Sequence, residues 1–271
     1  MIVIGERVNA TRKTIKNAIE SKQADVIKKE IELQDQAGAD YIDLNAGTGS
    51  GMVQQEKEDL CWLIDIALES SEKNIVLDSA SAEVLIHAAN YLDNRRPWMI
   101  NSINGEMLPE SMEIIELAST YSVPLIALAM DKDGIPPGTE KRVAICETII
   151  SEVTSRGVKE EQIYFDPLVI PISTDTSQAM VTFITIQKIM EKFPMAKTTL
   201  GLTNISHGFK SRAKVNQAFL TTAICFGLHS AICDPSHKSI QQALVMGTML
   251  AGKDKFCRSF SRAVRKGLFE E

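Results

Sequence analysis

Seven short apolar runs in this chain each stop at an acid or an amide, giving Glu6 and Asn9, Asp43 and Asn45, Asp78, Asn101, Asp166, Asn204 and Asp234. A carboxylate accepts hydrogen bonds on both oxygens, and a carboxamide both donates and accepts. A cluster of these groups suits a flat heterocycle with N–H and C=O groups along its edges. In a partly dry pocket such matched pairs discriminate strongly between ligands. The set has no serine–histidine–acid order and no metal-ligand trio. His87, His207, His229 and His237 form neither an HExxH motif nor a close cluster. Each polar residue also has an ordinary use, as an Asx turn or a helix cap. Tyr164-Phe165-Asp166-Pro167-Leu168 is the sharpest case, because Pro167 resists continuing a ladder and releases the chain into a loop.

Residues at the ends of strands need strands to carry them. The apolar runs predict strands over 2–4, 41–45, 74–79, 97–102, 124–130, 163–166, 199–204 and 230–234. On the second strand Asp43 and Asn45 share one face. A polar loop follows the first strand, and a loop over 46–51 carries three glycines. Helical spacing appears over 15–37, broken near Ser21, with Gly38 as its C-cap, and again over 56–71. Val84, Leu85, Ala88 and Leu92 line a further helix, and Ile114, Ile115 and Ala118 a short one. Helices are predicted over 139–155 and 178–191, then through Val215, Phe219, Thr222 and Phe226. Two more close the chain, the last with Phe256, Phe260 and Val264 on one side. The loop over 131–138 reads as an ordered connection. Strands alternating with helices imply crossovers and therefore parallel strands. Eight such units predict an α/β fold, a (β/α)₈ TIM barrel in a single domain over 1–271, with the polar strand ends on the rim that carries the site. A doubly wound open sheet is the rival, although no GxGxxG follows the first strand.

Composition narrows the function. With 29 basic and 35 acidic side chains the net charge is -6, which favours neither nucleic acid nor an anionic membrane. Five cysteines without a CxxC fit a reducing, cytoplasmic setting. No apolar run of membrane-spanning length occurs, and the first residues lack the features of a secretion signal.

Ile4-Gly5-Glu6-Arg7-Val8-Asn9, Asp43-Leu44-Asn45-Ala46-Gly47, Leu77-Asp78-Ser79, Ile100-Asn101-Ser102, Tyr164-Phe165-Asp166-Pro167-Leu168 and Gly201-Leu202-Thr203-Asn204-Ile205-Ser206 follow one another in this order. Together they resemble the methyltetrahydrofolate:corrinoid protein methyltransferases over essentially the whole chain. That family shares its pterin-binding barrel with dihydropteroate synthase and with the folate domain of cobalamin-dependent methionine synthase. The resemblance implies an enzyme of one-carbon metabolism that moves a methyl group between N5 of tetrahydrofolate (5-methyltetrahydrofolate when loaded) and the cobalt of a corrinoid. It implies that Asp78, Asn101 and Asp166 hold the pterin ring and that a mobile Asn204 contacts it near N5. Glu6, Asn9 and Asp43 complete the expected site, Asn204, Asp78 and Asp166 being its catalytic set, with no metal bound by the chain. It further implies a homodimer and a transient complex with a separate corrinoid protein, since the chain is too short to add a cobalamin-binding module to the barrel.

Cleavage of methyltetrahydrofolate leaves a poor leaving group unless N5 gains a proton, so the site must favour positive charge there. Asn204 is no acid, but its carbonyl oxygen can hold the N5 proton by preorganised polarity. Arg212 follows Asn204 by eight residues and can meet the folate tail or the corrin periphery, or else open a helix in solvent. Arg7 has the same two uses. His207 offers acid chemistry and Lys210 surface charge. Two alternatives stand beside the methyltransferase. A dihydropteroate synthase is expected to carry a lysine within the seventh strand and an arginine near the eighth, whereas here 199–204 holds no lysine and Cys233-Asp234-Pro235-Ser236-His237 follows the eighth. A non-catalytic folate- or corrinoid-binding component would keep Asp78 and Asp166 but transfer nothing.

Overall fold

The computed structural model describes residues 1–49 and 51–270. Ser50, within the predicted loop over 46–51, and Glu271, the last residue of the expected domain, lie outside the described residues. In chain order the elements are β1 (Ile2–Asn9), α1 (Lys13–Glu20), α2 (Ala24–Gln36), β2 (Tyr41–Asn45), α3 (Val53–Ser70), β3 (Asn74–Asp78), α4 (Ala82–Leu92), β4 (Trp98–Asn104) and α5 (Pro109–Tyr121). There follow β5 (Leu125–Leu128), α6 (Thr139–Ser155), β6 (Ile163–Asp166), α7 (Gln178–Lys192), β7 (Lys197–Thr198), α8 (Arg212–Cys225), β8 (Ser230–Cys233), α9 (Lys238–Leu250) and α10 (Arg258–Arg265).

The eight strands form one parallel sheet in the order β7-β6-β5-β4-β3-β2-β1-β8. Backbone bonds from His229 N–H to the Thr198 carbonyl (3.3 Å) and from Ile232 N–H to the Leu200 carbonyl (2.8 Å) bring β8 against the segment after β7. A parallel bridge between Gly201 and Ile232 completes the ring. The fold is the expected (β/α)₈ barrel, not an open sheet.

Period-2 alternation decides what fills the barrel. Ile4, Val76, Met99, Ile126 and Tyr164 point inward and form one buried cluster, with Ile2, Tyr41, Leu128 and Ile232 against it. Burying each such side chain contributes roughly 1.5–3 kcal/mol. Lys197 lies over the Tyr164 ring, with its Nζ 4.9 Å from the centroid and 3.2 Å from the hydroxyl. The outward residues pack under the helices in two larger clusters.

Several boundaries differ from the sequence reading. β1 does not stop at Ile4 but runs through the charged residues to Asn9, with a register shift between Gly5 and Val8. Its irregular middle is completed from α2, where Gln34 Oε1 accepts the Arg7 N–H at 2.9 Å. A Cβ at Gly5 would lie 2.3 Å from that oxygen, so only glycine admits the contact. The seventh strand is Lys197–Thr198, whereas Leu202–Ser206 curls into a 3₁₀ turn. β6 ends at Asp166 before Pro167, so a longer β7 would find no ladder on that side. At the C-terminal end Phe256 belongs to a short turn before α10 and is 76% exposed, and Val264 is exposed as well. Only Phe260 of that expected stripe finds an aromatic partner, Phe269, at 5.1 Å. The helix break near Ser21 is where the sequence put it.

Candidate functional site

Six inward rows change from apolar to polar within two residues: Ile4 to Glu6, Tyr41 to Asp43, Val76 to Asp78, Met99 to Asn101, Tyr164 to Asp166 and Ile232 to Asp234. Alternation along each strand keeps both members on one face, so an apolar layer becomes the floor for a polar one. Above it lies a cavity of about 570 Å³ at the C-terminal ends of the strands. Of the site residues named from sequence, Glu6, Asn9, Asp43, Asp78, Asn101, Asn204 and Arg212 all line it.

Asp78 sits between two amide-bearing strands on the floor. It stands opposite Asn45 in the β2–β3 register and opposite Asn101 in the β3–β4 register. Asn45 Nδ2 donates to Asp78 Oδ2 at 2.9 Å, and Asn45 Oδ1 accepts the Gly47 N–H at 3.0 Å. Asp43 is buried and hydrogen-bonds to both Asp78 and Asn101, while its Oδ1 has no partner. Burial, then the negative charge of Asp78, push the Asp43 carboxyl well above the usual carboxylate range. Burial also raises Asp78, to about 6, against the hydrogen bonds from Asn45 and Asp43. Both carboxyls thus favour their protonated forms more than free carboxylates do, and Asp43 does so through burial and the charge of Asp78 together.

Glu6 is raised to about 7, first by burial and then by the charge of Asp234, with Thr203, Arg12 and Arg212 opposing. Asp166 shares the inward face with Tyr164 but is not among the residues on the cavity wall. Its Oδ1 accepts the Leu168 N–H at 2.7 Å, and Leu168 adopts a φ of 64°. Burial lifts Asp166 to about 7 against the N–H groups of Leu168 and Gly201 and the charge of Arg142. The loop after it is pinned by Arg142, a fully buried guanidinium on α6. Arg142 donates to the carbonyls of Pro136, Pro167 and Leu168 at 2.8, 3.0 and 2.9 Å and to Gln178 Oε1 at 2.9 Å. That network offsets the cost of burying its charge.

Asn204 lies in the 3₁₀ turn, exposed on the cavity wall. Arg212 Nη2 donates to the Thr203 carbonyl at 2.8 Å and its Nε to Ser206 Oγ at 3.0 Å, so this arginine braces the turn carrying Asn204. Arg7 is committed to Glu30 and Asp234. For Asp234, burial works upward, but Ser236 and Arg7 hold the carboxyl below its ordinary range. Asn9 Oδ1 accepts from the N–H and hydroxyl of Thr11. His207 is exposed and lines neither this cavity nor its neighbour, and its backbone N–H donates to the Asn204 carbonyl at 3.1 Å. Arg12 and Arg142 were not singled out from sequence. Arg12 lies in a turn with no periodic signal, and Arg142 sits in a helix where an arginine normally faces water.

Residues 5–234 match the profile of the pterin binding enzyme family. The chain is 33% identical to the methylcorrinoid:tetrahydrofolate methyltransferase of Eubacterium limosum over 270 residues, 98% of this chain and 97% of that protein. It is 31% identical over 250 residues to the methionine synthase of Mycobacterium tuberculosis, which covers 87% of this chain but 20% of that larger protein. Among solved structures, dihydropteroate synthase from Stenotrophomonas maltophilia superposes with a TM-score of 0.67 at 16% identity, covering 92% of each chain. Dihydropteroate synthase from Coxiella burnetii, in complex with pteroic acid, gives 0.61 at 15% identity over 92% of this chain and 93% of that one. At such identities the structural likeness is one of fold.

Proposed function

The chain belongs to the pterin binding enzyme family, beside the methylcorrinoid:tetrahydrofolate methyltransferases, and on that premise we propose that it transfers a methyl group from a methylated corrinoid to N5 of tetrahydrofolate. The supporting observation is Asp78 beside Asn101 on adjacent strands, in register, on the floor of the cavity. An ionised carboxyl next to a carboxamide, about 5 Å apart as neighbouring strands are, matches the N–H and C=O edge of a pterin. Asp43, whose carboxyl is raised by burial and by the charge of Asp78, hydrogen-bonds to Asp78 and keeps it oriented. Asp166, set off the cavity wall, serves the far side of the ring site through the turn it holds at Leu168, and Glu6 and Asn9 close the wall.

In the reaction the N5 lone pair attacks the methyl carbon. The carbon–cobalt bond breaks with both electrons left on cobalt, so Co(III) becomes Co(I). N5 passes through a positively charged state bearing both methyl and hydrogen, and then gives up the proton. The reverse direction crosses the same state, with N5 protonated before the methyl leaves. Asn204 acts there, its carbonyl oxygen accepting the N5 hydrogen as charge builds. Orientation of the ring by the floor supplies the positioning part of the rate. The corrinoid is a substrate brought by a separate protein that covers the open rim during a transient encounter.

The enzyme works as a homodimer in the cytoplasm. An apolar groove between α7 and α8, lined by Phe183, Val215, Ala218 and Phe219, supports a paired surface. Its five free cysteines suit a reducing compartment, and among the described residues no helix is long and apolar enough to cross a membrane.

The decisive experiment mixes the protein with methylcob(III)alamin and tetrahydrofolate and follows the spectrum of cob(I)alamin. Appearance of cob(I)alamin that requires tetrahydrofolate supports the reading. A protein that binds tetrahydrofolate yet never releases cob(I)alamin, from free cofactor or from a corrinoid protein, is a binding component instead.

A further inference from the structure

A second cavity of about 660 Å³ adjoins the first and shares Glu6, Thr203, Arg212, Asp234 and His237 with it. Its outer wall is basic. Lys210 and Lys214 line it, both exposed, and among the described residues neither pairs with a carboxylate. The N-termini of α8 and α9 open into the same space through Ser211, Ala213 and Ser239. Neither N-cap residue, Ser211 or His237, makes a side-chain cap bond; the Lys214 and Ile240 N–H groups turn back to the carbonyls of Ser211 and His237, which leaves the N–H groups of Ala213 and Ser239 for a ligand. Asn216 also belongs to the wall, is 8% exposed, and leaves its Oδ1 without a partner. The two acids that the cavities share weigh little against this. Asp234 is neutralised by Arg7, and Glu6 is raised to about 7 by burial first.

We infer that this chamber binds the glutamyl tail of the folate substrate and favours tails of several γ-linked glutamates over a single one. The inference rests on the methyl-transfer reading of the neighbouring cavity. A folate carries its carboxylates at the end opposite the pterin edge that Asp78 and Asn101 meet. Each additional γ-linked glutamate adds one carboxylate and one amide N–H. The lysines and the two helix ends suit the carboxylates, and the unspent Asn216 oxygen suits an amide N–H. In a chain with a net charge of -6, Lys210 and Lys214 thus stand beside a cavity whose ligand would bring negative charge.

The test compares tetrahydrofolate bearing one glutamate with tetrahydrofolate bearing four, by titration calorimetry on the wild type and on a Lys210→Gln/Lys214→Gln double variant. A ring-only tetrahydropterin and a free γ-linked glutamate tetrapeptide are titrated alongside. The wild type is expected to bind the four-glutamate form about tenfold more tightly, with the margin shrinking as salt screens the lysines. The double variant should bind both forms alike, with ring-only affinity and melting temperature unchanged. No preference in the wild type, or the same preference in the variant, overturns the inference. So does a variant whose affinity falls only for free cobalamin, because the chamber would then serve the corrinoid. If no folate and no ring compound binds, the methyl-transfer reading fails by itself. The chamber is then judged on the tetrapeptide, whose binding to wild type but not to the variant keeps it and whose failure to bind removes it.

Discussion

Asp43 and Asp78 face one another across the floor of the cavity, the Asp43 carboxyl pushed well up by burial and by the charge of Asp78, and Asp78 raised to about 6 by burial. One proton between two carboxyls orients the second without leaving a buried pair of like charges. Asp43→Ala should therefore weaken tetrahydrofolate binding by about 1–3 kcal/mol, the cost of a lost hydrogen bond to a charged group. Asp43→Asn keeps a donor and should stay close to wild type. Calorimetric titration of both variants checks this, and equal losses in the two would mean that Asp43 acts through its own charge.

Asp166→Asn turns one acceptor into a donor opposite the N–H groups of Leu168 and Gly201. It is expected to lower the melting temperature and to weaken folate binding. A lowered melting temperature with unchanged affinity would leave Asp166 as a tie for the loop that Arg142 clamps, outside the ring site.

The ligand-free protein should lose stability as pH rises from about 5 to 8. Glu6, Asp78 and Asp166 have folded values near 7, 6 and 7, all raised first by burial. For an acid raised on folding, the folded state holds more protons than the unfolded one between the two pKa values. Its stabilising share is complete below about pH 4 and is lost as pH climbs through the folded value. Acids held low, such as Asp234, act below that window. Thermal melts across the range should show the decline, and Glu6→Gln should flatten it; a melting temperature that climbs steadily to pH 8 contradicts the account.

Asn204→Ala should slow methyl transfer in the saturated complex by roughly 10–1000-fold, the scale of losing one preorganised donor or acceptor. Its effect on tetrahydrofolate affinity should be smaller, because the contact strengthens as charge builds on N5. Single-turnover formation of cob(I)alamin at saturating tetrahydrofolate separates rate from binding. A normal rate there would assign Asn204 to binding alone.

Ala218→Arg places a charge in the exposed apolar groove between α7 and α8. Sedimentation velocity should show a dimer for the wild type and a monomer for the variant, with tetrahydrofolate affinity retained. A wild type that sediments as a monomer removes the homodimer.

The strand ends were legible because alternation and polar stops coincide. Val76 to Asp78 and Met99 to Asn101 can be read from spacing alone, and so can the barrel they imply. β1 was harder, since Glu6 and Arg7 look like a loop until Gln34, far along the chain, completes the register. Nothing near 199–206 reveals that β6 stops too early to support a longer β7, so a buried, apolar stretch reads as strand when it is a turn. Asp166 carried both its readings in the sequence; only the fold shows its carboxyl bound to the turn after it. Arg142 is invisible in one dimension, because its worth lies in four acceptors drawn from three separate segments.

The short seventh strand makes the barrel mechanically uneven. β2, β3 and β4 hold the floor through continuous ladders of four or five residue pairs, whereas β7 offers β6 only two. Beyond them single ties hold the wall: Thr199 N–H to the Phe165 carbonyl, Gly201 N–H to Asp166, the Leu200–Ile232 bond, the Gly201 bridge, Ile172 N–H to the Ile205 carbonyl and the Arg212 brace. On the proposed function, the half that would hold the ring carries the longer ladders and the half that would reach N5 the shortest one. A corrin, far larger than a methyl group, would then arrive and leave beside the less extensively laddered wall, away from the strands that hold the other substrate.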